Sequence, residues 1–89
     1  MVKLLRPVFS TSFKKHYHKL PIAAQKKFTK QLKFLLENYR HPSLATRKMG
    51  GSDIFEARVD LHYRFTFQID GNEIILRTIG PHDEGLGKK

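Results

Sequence analysis

From residue 53 onward, apolar and polar positions take turns along the chain. Phe55, Ala57 and Val59 share one parity, and Glu56, Arg58 and Asp60 hold the other. Tyr63, Phe65, Phe67 and Ile69 then alternate with Arg64, Thr66 and Gln68. A period of two over five or more residues is the pattern of a strand with one face on a core and one in water. Asp70-Gly71-Asn72 separates this second run from a third, which starts at Glu73 and ends at Gly80-Pro81-His82-Asp83. Glycine and asparagine tolerate the positive φ of a hairpin turn, so the stretch predicts three antiparallel strands.

The first half has a longer period. Lys3 to Phe9 predicts a strand, which Pro7 confines to an edge or an end. Ser10 and Thr11 are N-cap candidates, and Phe13, Tyr17 and Leu20 follow at helical spacing, giving a short helix over about 11–19. Pro21 suits the first position of a second helix, where its missing N–H costs nothing. Ala24, Phe28, Leu32, Leu35, Leu36 and Tyr39 then form an apolar stripe opposite Lys26, Lys30, Lys33 and Glu37, an amphipathic helix of about 21–39 that packs on a sheet. His41-Pro42 ends it, because the residue before proline is driven from the α region. Pro42 to Ser52 reads as a linker that carries Arg47 and Lys48, has room for one short strand near Leu44 to Lys48, and turns at Gly50-Gly51. Glu84 to Lys89 is a polar tail. The expectation is one α+β domain over residues 1–89: a small antiparallel sheet of about four strands, mixed at one edge, on two helices in the order β-α-α-β-β-β.

Charge adds what periodicity cannot. The formal net charge is +9, and it is unevenly placed. Residues 1–52 hold 12 Lys/Arg against the single acid Glu37, whereas residues 53–89 hold 5 Lys/Arg and 7 Asp/Glu. So basic a helical half favours a polyanionic partner through counterion release. With no cysteine in the chain, disulfides and thiolate metal sites are excluded. No apolar run has the length of a membrane span, and MVKLLRPVF lacks the apolar centre of a signal peptide, so a cytoplasmic protein is expected.

Parity puts Glu56, Arg58 and Arg64 on the open face of the sheet. Two arginines side by side repel unless an anion lies between them, and the planar guanidinium fork suits a phosphate oxygen pair. The alternative is that Glu56 and Asp60 simply pair with these arginines on a solvated face. His82 follows Gly80-Pro81 where the chain leaves the sheet, and an imidazole titrating near neutrality can give or take a proton during phosphodiester cleavage. Self-cleavage of RNA needs a base for the 2′-hydroxyl, cations for the phosphate and an acid for the leaving 5′-oxygen. Glu56 or His62, Arg58 with Arg64, and His82 fill those posts. No spacing points to a metal, and no cofactor is expected. His16 and His18 lie two apart on a helix, point different ways, and read as ordinary boundary histidines.

This order of elements resembles the RelE/ParE superfamily of toxins from toxin–antitoxin pairs. The likeness covers nearly the whole chain. It rests on Phe13-Lys14-Lys15 to Leu20-Pro21, the helix ending at His41-Pro42, the Arg47 to Gly51 turn, Phe55-Glu56-Ala57-Arg58-Val59, Tyr63-Arg64-Phe65, and Arg77-Thr78-Ile79-Gly80-Pro81-His82. Arg64 and the histidine-bearing tail look like those of the mRNA-cleaving, YafQ-like branch. The resemblance implies that Arg64 stabilises phosphate and that His82 is catalytic. Arg58 matches a position often basic, Glu56 one that is lysine in some members, and His62 falls near a catalytic aspartate. Leu86 stands where such enzymes carry a terminal aromatic. The implied catalytic set is His82, Arg64, Glu56 and His62, with Arg58, Arg47, Lys48, Tyr63 and Arg77 as RNA contacts. Implied partners are mRNA on the ribosome and a cognate antitoxin, in a hetero-oligomer that can sit on operator DNA. The alternatives are the ParE-like branch, which inhibits DNA gyrase without cutting RNA, and an inactive nucleic-acid-binding or corepressor module.

Overall fold

The computed structural model describes residues 4–81. Its elements run β1 (Arg6–Phe9), α1 (Thr11–His18), α2 (Ile22–Glu37), β2 (Arg47–Lys48), β3 (Ile54–Arg58), β4 (Tyr63–Asp70) and β5 (Glu73–Pro81), with a 3-10 turn at Pro42–Leu44 before β2. The strands form one sheet in the order β1-β5-β4-β3-β2, in which β1 runs parallel to β5 and the other neighbours are antiparallel. The α+β class and the mixed edge are as expected. The short strand for which the linker had room is β2, where Arg47 and Lys48 pair with Glu56 and Phe55, and with it the order is β-α-α-β-β-β-β.

Local chemistry sets the helix ends. Ser10 caps α1, its Oγ accepting the Phe13 N–H at 3.0 Å. Pro21 precedes α2 as its cap residue, one place earlier than the first helical position. The end of α2 also comes earlier than Tyr39. Asn38 takes extended backbone (φ −162°), and its Oδ1 accepts the Arg40 N–H at 3.0 Å, an Asx turn that competes with the helix. His41 and Pro42 therefore belong to the next turn, where the His41 ring stacks on Phe34 at 4.1 Å.

Both helices cover the face of the sheet that carries Ala57, Phe65, Phe67, Ile74, Leu76 and Ile79, and add Phe13, Phe28 and Leu35 to one core. The Phe28 ring meets Phe65 edge-on at 5.2 Å. Among the described residues, one polar side chain is buried there. Gln31, 8% exposed, donates from Nε2 to the carbonyls of Ser43 (3.0 Å) and Arg58 (2.9 Å), which ties the end of β3 to α2.

The third run breaks its alternation. Thr66 pairs with Thr78 and Phe67 with Leu76, so Arg77 is an extra residue, a β-bulge. That shift lets Leu76 and Ile79, of opposite parity, both reach the core. At the hairpin between β4 and β5 only Gly71 has positive φ (63°), so Gly71-Asn72 forms a II′-type turn that needs the glycine.

Candidate phosphate-binding basin

The turn between β3 and β4 decides what the open face can do. Asp60 Oδ1 accepts the N–H groups of His62 (2.7 Å) and Tyr63 (2.9 Å), and the Val59 N–H donates to the Tyr63 carbonyl (2.9 Å). This locks the register so that Arg58 and Arg64 lie directly opposite each other. Two cations in that position repel. Both carry a side-chain N–H that is buried without a hydrogen-bond partner, Nε of Arg58 and Nη1 of Arg64. Unmatched buried donors cost free energy, and an anion that accepts from both removes that cost.

The nearby carboxylates do not neutralise the pair. Glu56 Oε1 lies 3.3 Å from Arg47 Nε and 4.0 Å from Arg64 Nε, while Asp60 reaches Lys27 at 3.4 Å. Arg58 has no carboxylate partner among the described residues. Asp60 thus serves the turn, not the arginines. Burial pushes its carboxyl up, but the two backbone donors and Lys27 together outweigh burial and hold it below the usual carboxylate range. A lowered native value means stability that is present above the unfolded value and lost as pH falls through the native one. Asp60→Ala should therefore cost about 1–3 kcal/mol near neutral pH. In urea unfolding, its deficit against the wild-type protein should shrink as pH is lowered through the carboxylate range.

Arg64 forms one wall of a basin of about 710 Å³ together with Glu56, Tyr63, Thr66 and Met49. Thr78, Gly80 and Pro81 continue it along β5, and His16 and Lys19 close it from the end of α1. Thr66 and Thr78 share a hydroxyl hydrogen bond of 2.7 Å across its floor. Opposite Arg64 in the β4–β5 ladder stands Gly80, where an added Cβ would meet no atom within 4 Å. The arginine row is therefore open on that side.

The expected site residues divide accordingly. Arg64, Glu56 and Tyr63 line the basin, Arg58 adjoins Arg64, and the exposed Arg47 is tied to Glu56. Arg77 lies at the bulge, its Nη1 donating to Gln68 Oε1 at 3.0 Å, outside the basin lining. Lys48 pairs with Phe55, so parity places it on the helix-covered side, away from Arg64. His62 is exposed on the β3–β4 turn and does not line the basin. His82, the residue after Pro81, lies outside the described residues, as do Leu86 and the polar tail. Sequence reasoning missed His16, Lys19, Thr66, Thr78 and Met49 as basin residues. Thr66 was legible in part, since it shares the parity of Arg64. Nothing in the helical spacing of residues 13–20 shows that the end of α1 lies beside β5.

No family model matches the chain, and no curated protein does. Solved structures do. The archaeal RelE–RelB complex from Pyrococcus horikoshii OT3 aligns with TM-score 0.78 at 18% identity, covering 92% of this chain and 99% of that one. The intact E. coli RelBE toxin–antitoxin complex aligns with TM-score 0.71 at 23% identity, covering 85% and 94%. The YoeB–YefM complex from Staphylococcus aureus aligns with TM-score 0.71 at 19% identity, covering 90% and 99%. This chain has the fold of the RelE and YoeB toxins.

Proposed function

We propose that this chain is the toxin of a toxin–antitoxin pair and an endoribonuclease that cuts mRNA on the ribosome without a metal. The observation that carries the reading is the Arg58–Arg64 pair, two arginines opposite each other in the β3–β4 register, each with a partnerless buried donor, of which Arg64 lines an open basin. In the proposed reaction the RNA's own 2′-oxygen attacks the adjacent phosphorus. The new O2′–P bond forms as the P–O5′ bond breaks, leaving a 2′,3′-cyclic phosphate and a 5′-hydroxyl. Arg58 and Arg64 hold the non-bridging oxygens, where charge grows in the transition state. Glu56, held by Arg47, takes the 2′-hydroxyl proton, a post for which it is preferred over His62 because it lines the basin. His82, joined to the basin residue Pro81, supplies the proton to the leaving 5′-oxygen. The basic helical half suits an acidic segment of a cognate antitoxin, and the same charge suits ribosomal RNA.

Expression in a bacterial host, with mRNA mapped by primer extension, tests this. Growth arrest with new 5′ ends inside translated messages is the expected result. Intact mRNA with accumulated gyrase–DNA cleaved complexes would replace it with the ParE-like reading. A variant separates site from fold. Gly80→Val puts a side chain into open space beside Arg64, so it should leave stability within about 0.5 kcal/mol. By misplacing the phosphate it should slow cleavage by about 10²-fold.

A further inference from the structure

We propose that the basin grips its RNA from two sides, with Lys19 and His16 at the end of α1 contacting the sugar–phosphate backbone that flanks the cleaved linkage. This deepens the ribonuclease reading and rests on it. The juxtaposition comes from the way β1 ends. It pairs with β5 only along Glu73 to Leu76. There the Ser10 N–H donates to the Leu76 carbonyl at 3.0 Å and the Ser10 hydroxyl to the Arg77 carbonyl at 2.9 Å, which turns the chain into α1 beside the unpaired half of β5. The far end of α1 thereby closes the basin across Thr78 and Gly80 from Arg64.

That end is held firmly. Lys19 N–H donates to the His16 carbonyl (3.1 Å) and Leu20 N–H to the Tyr17 carbonyl (3.0 Å). Gln25 Nε2 from α2 donates to the carbonyls of Tyr17 (3.1 Å) and Leu20 (3.2 Å). With the backbone of the turn already ordered, only the Lys19 side chain has to be fixed on binding. Lys19 is exposed and has no carboxylate partner among the described residues, and half-buried His16 adds a ring N–H to the same wall. A basin of about 710 Å³ is far larger than one phosphate fills, so the strand continues past the arginine pair and meets this wall.

The test is binding of a short 2′-O-methyl oligoribonucleotide, which cannot be cleaved, followed by fluorescence anisotropy over a range of salt. Lys19→Gln should weaken binding several-fold and lower the log–log salt slope by about 0.7, one single-strand phosphate contact. Lys33→Gln removes an equal charge from the exposed side of α2 and should change neither. If Lys19→Gln behaves like Lys33→Gln while Arg64→Ala weakens binding, the second wall is wrong and the ribonuclease reading stands. If Arg64→Ala also binds like the wild-type protein, or the wild-type protein does not bind, both fall.

Discussion

Arg64→Ala is expected to slow mRNA cleavage by about 10²–10³-fold, the usual cost of removing a preorganised donor aimed at developing charge. The Arg64 side chain is only 22% exposed, so water screens its charge weakly. It also stands beside Arg58, which alone would hold one side of the phosphate. Arg64→Lys should recover part of the rate, because a lysine keeps the charge and loses the planar fork. Stability should move the other way or not at all. Removing a buried donor that has no partner, and a cation that repels Arg58, offsets the lost packing of the arginine's methylene stem and its 4.0 Å contact with Glu56. Single-turnover cleavage and a thermal melt on the same preparation read both halves.

Phe67→Ala should act in the opposite sense, costing about 3–5 kcal/mol of stability and affecting activity only through the unfolded fraction. The ring is fully buried, stacks on Phe55 at 5.4 Å, and faces Tyr39 edge-on at 6.4 Å. It also pairs with Leu76 on the core side of the bulge, so its loss leaves a cavity where the register shifts. Against a total stability of about 5–15 kcal/mol for a small domain, that leaves the chain near its threshold. Urea unfolding should show a lowered midpoint with an unchanged slope.

The contrast between these two residues follows the parity visible in the sequence. Phe65 and Phe67 alternate with Arg64 and Thr66, and the structure buries the first pair and leaves the second on the open face. Elsewhere the pattern was readable only to a point. The apolar spacing through Ala24, Phe28 and Leu35 also includes position 31, but a glutamine there gives no hint of burial until the carbonyls of Ser43 and Arg58 are placed against it. The bulge at Arg77 left no mark, because one extra residue changes parity without changing residue types. Charge alone groups Lys48 with Arg47, although neighbours in a strand face opposite ways. The approach of His16 and Lys19 to Arg64 depends on where β1 stops pairing, a tertiary event with no local signal.

The central claim is that Arg58 and Arg64 hold one RNA phosphate between them. Arginine side-chain N–H resonances, followed by NMR while a 2′-O-methyl oligoribonucleotide is added, report on it atom by atom. The Arg58 Nε–H and the Arg64 guanidinium signals should both shift, saturating together at the affinity found by anisotropy. Binding that leaves these two residues unmoved, and shifts Arg40 or Arg77 in their place, would contradict the account.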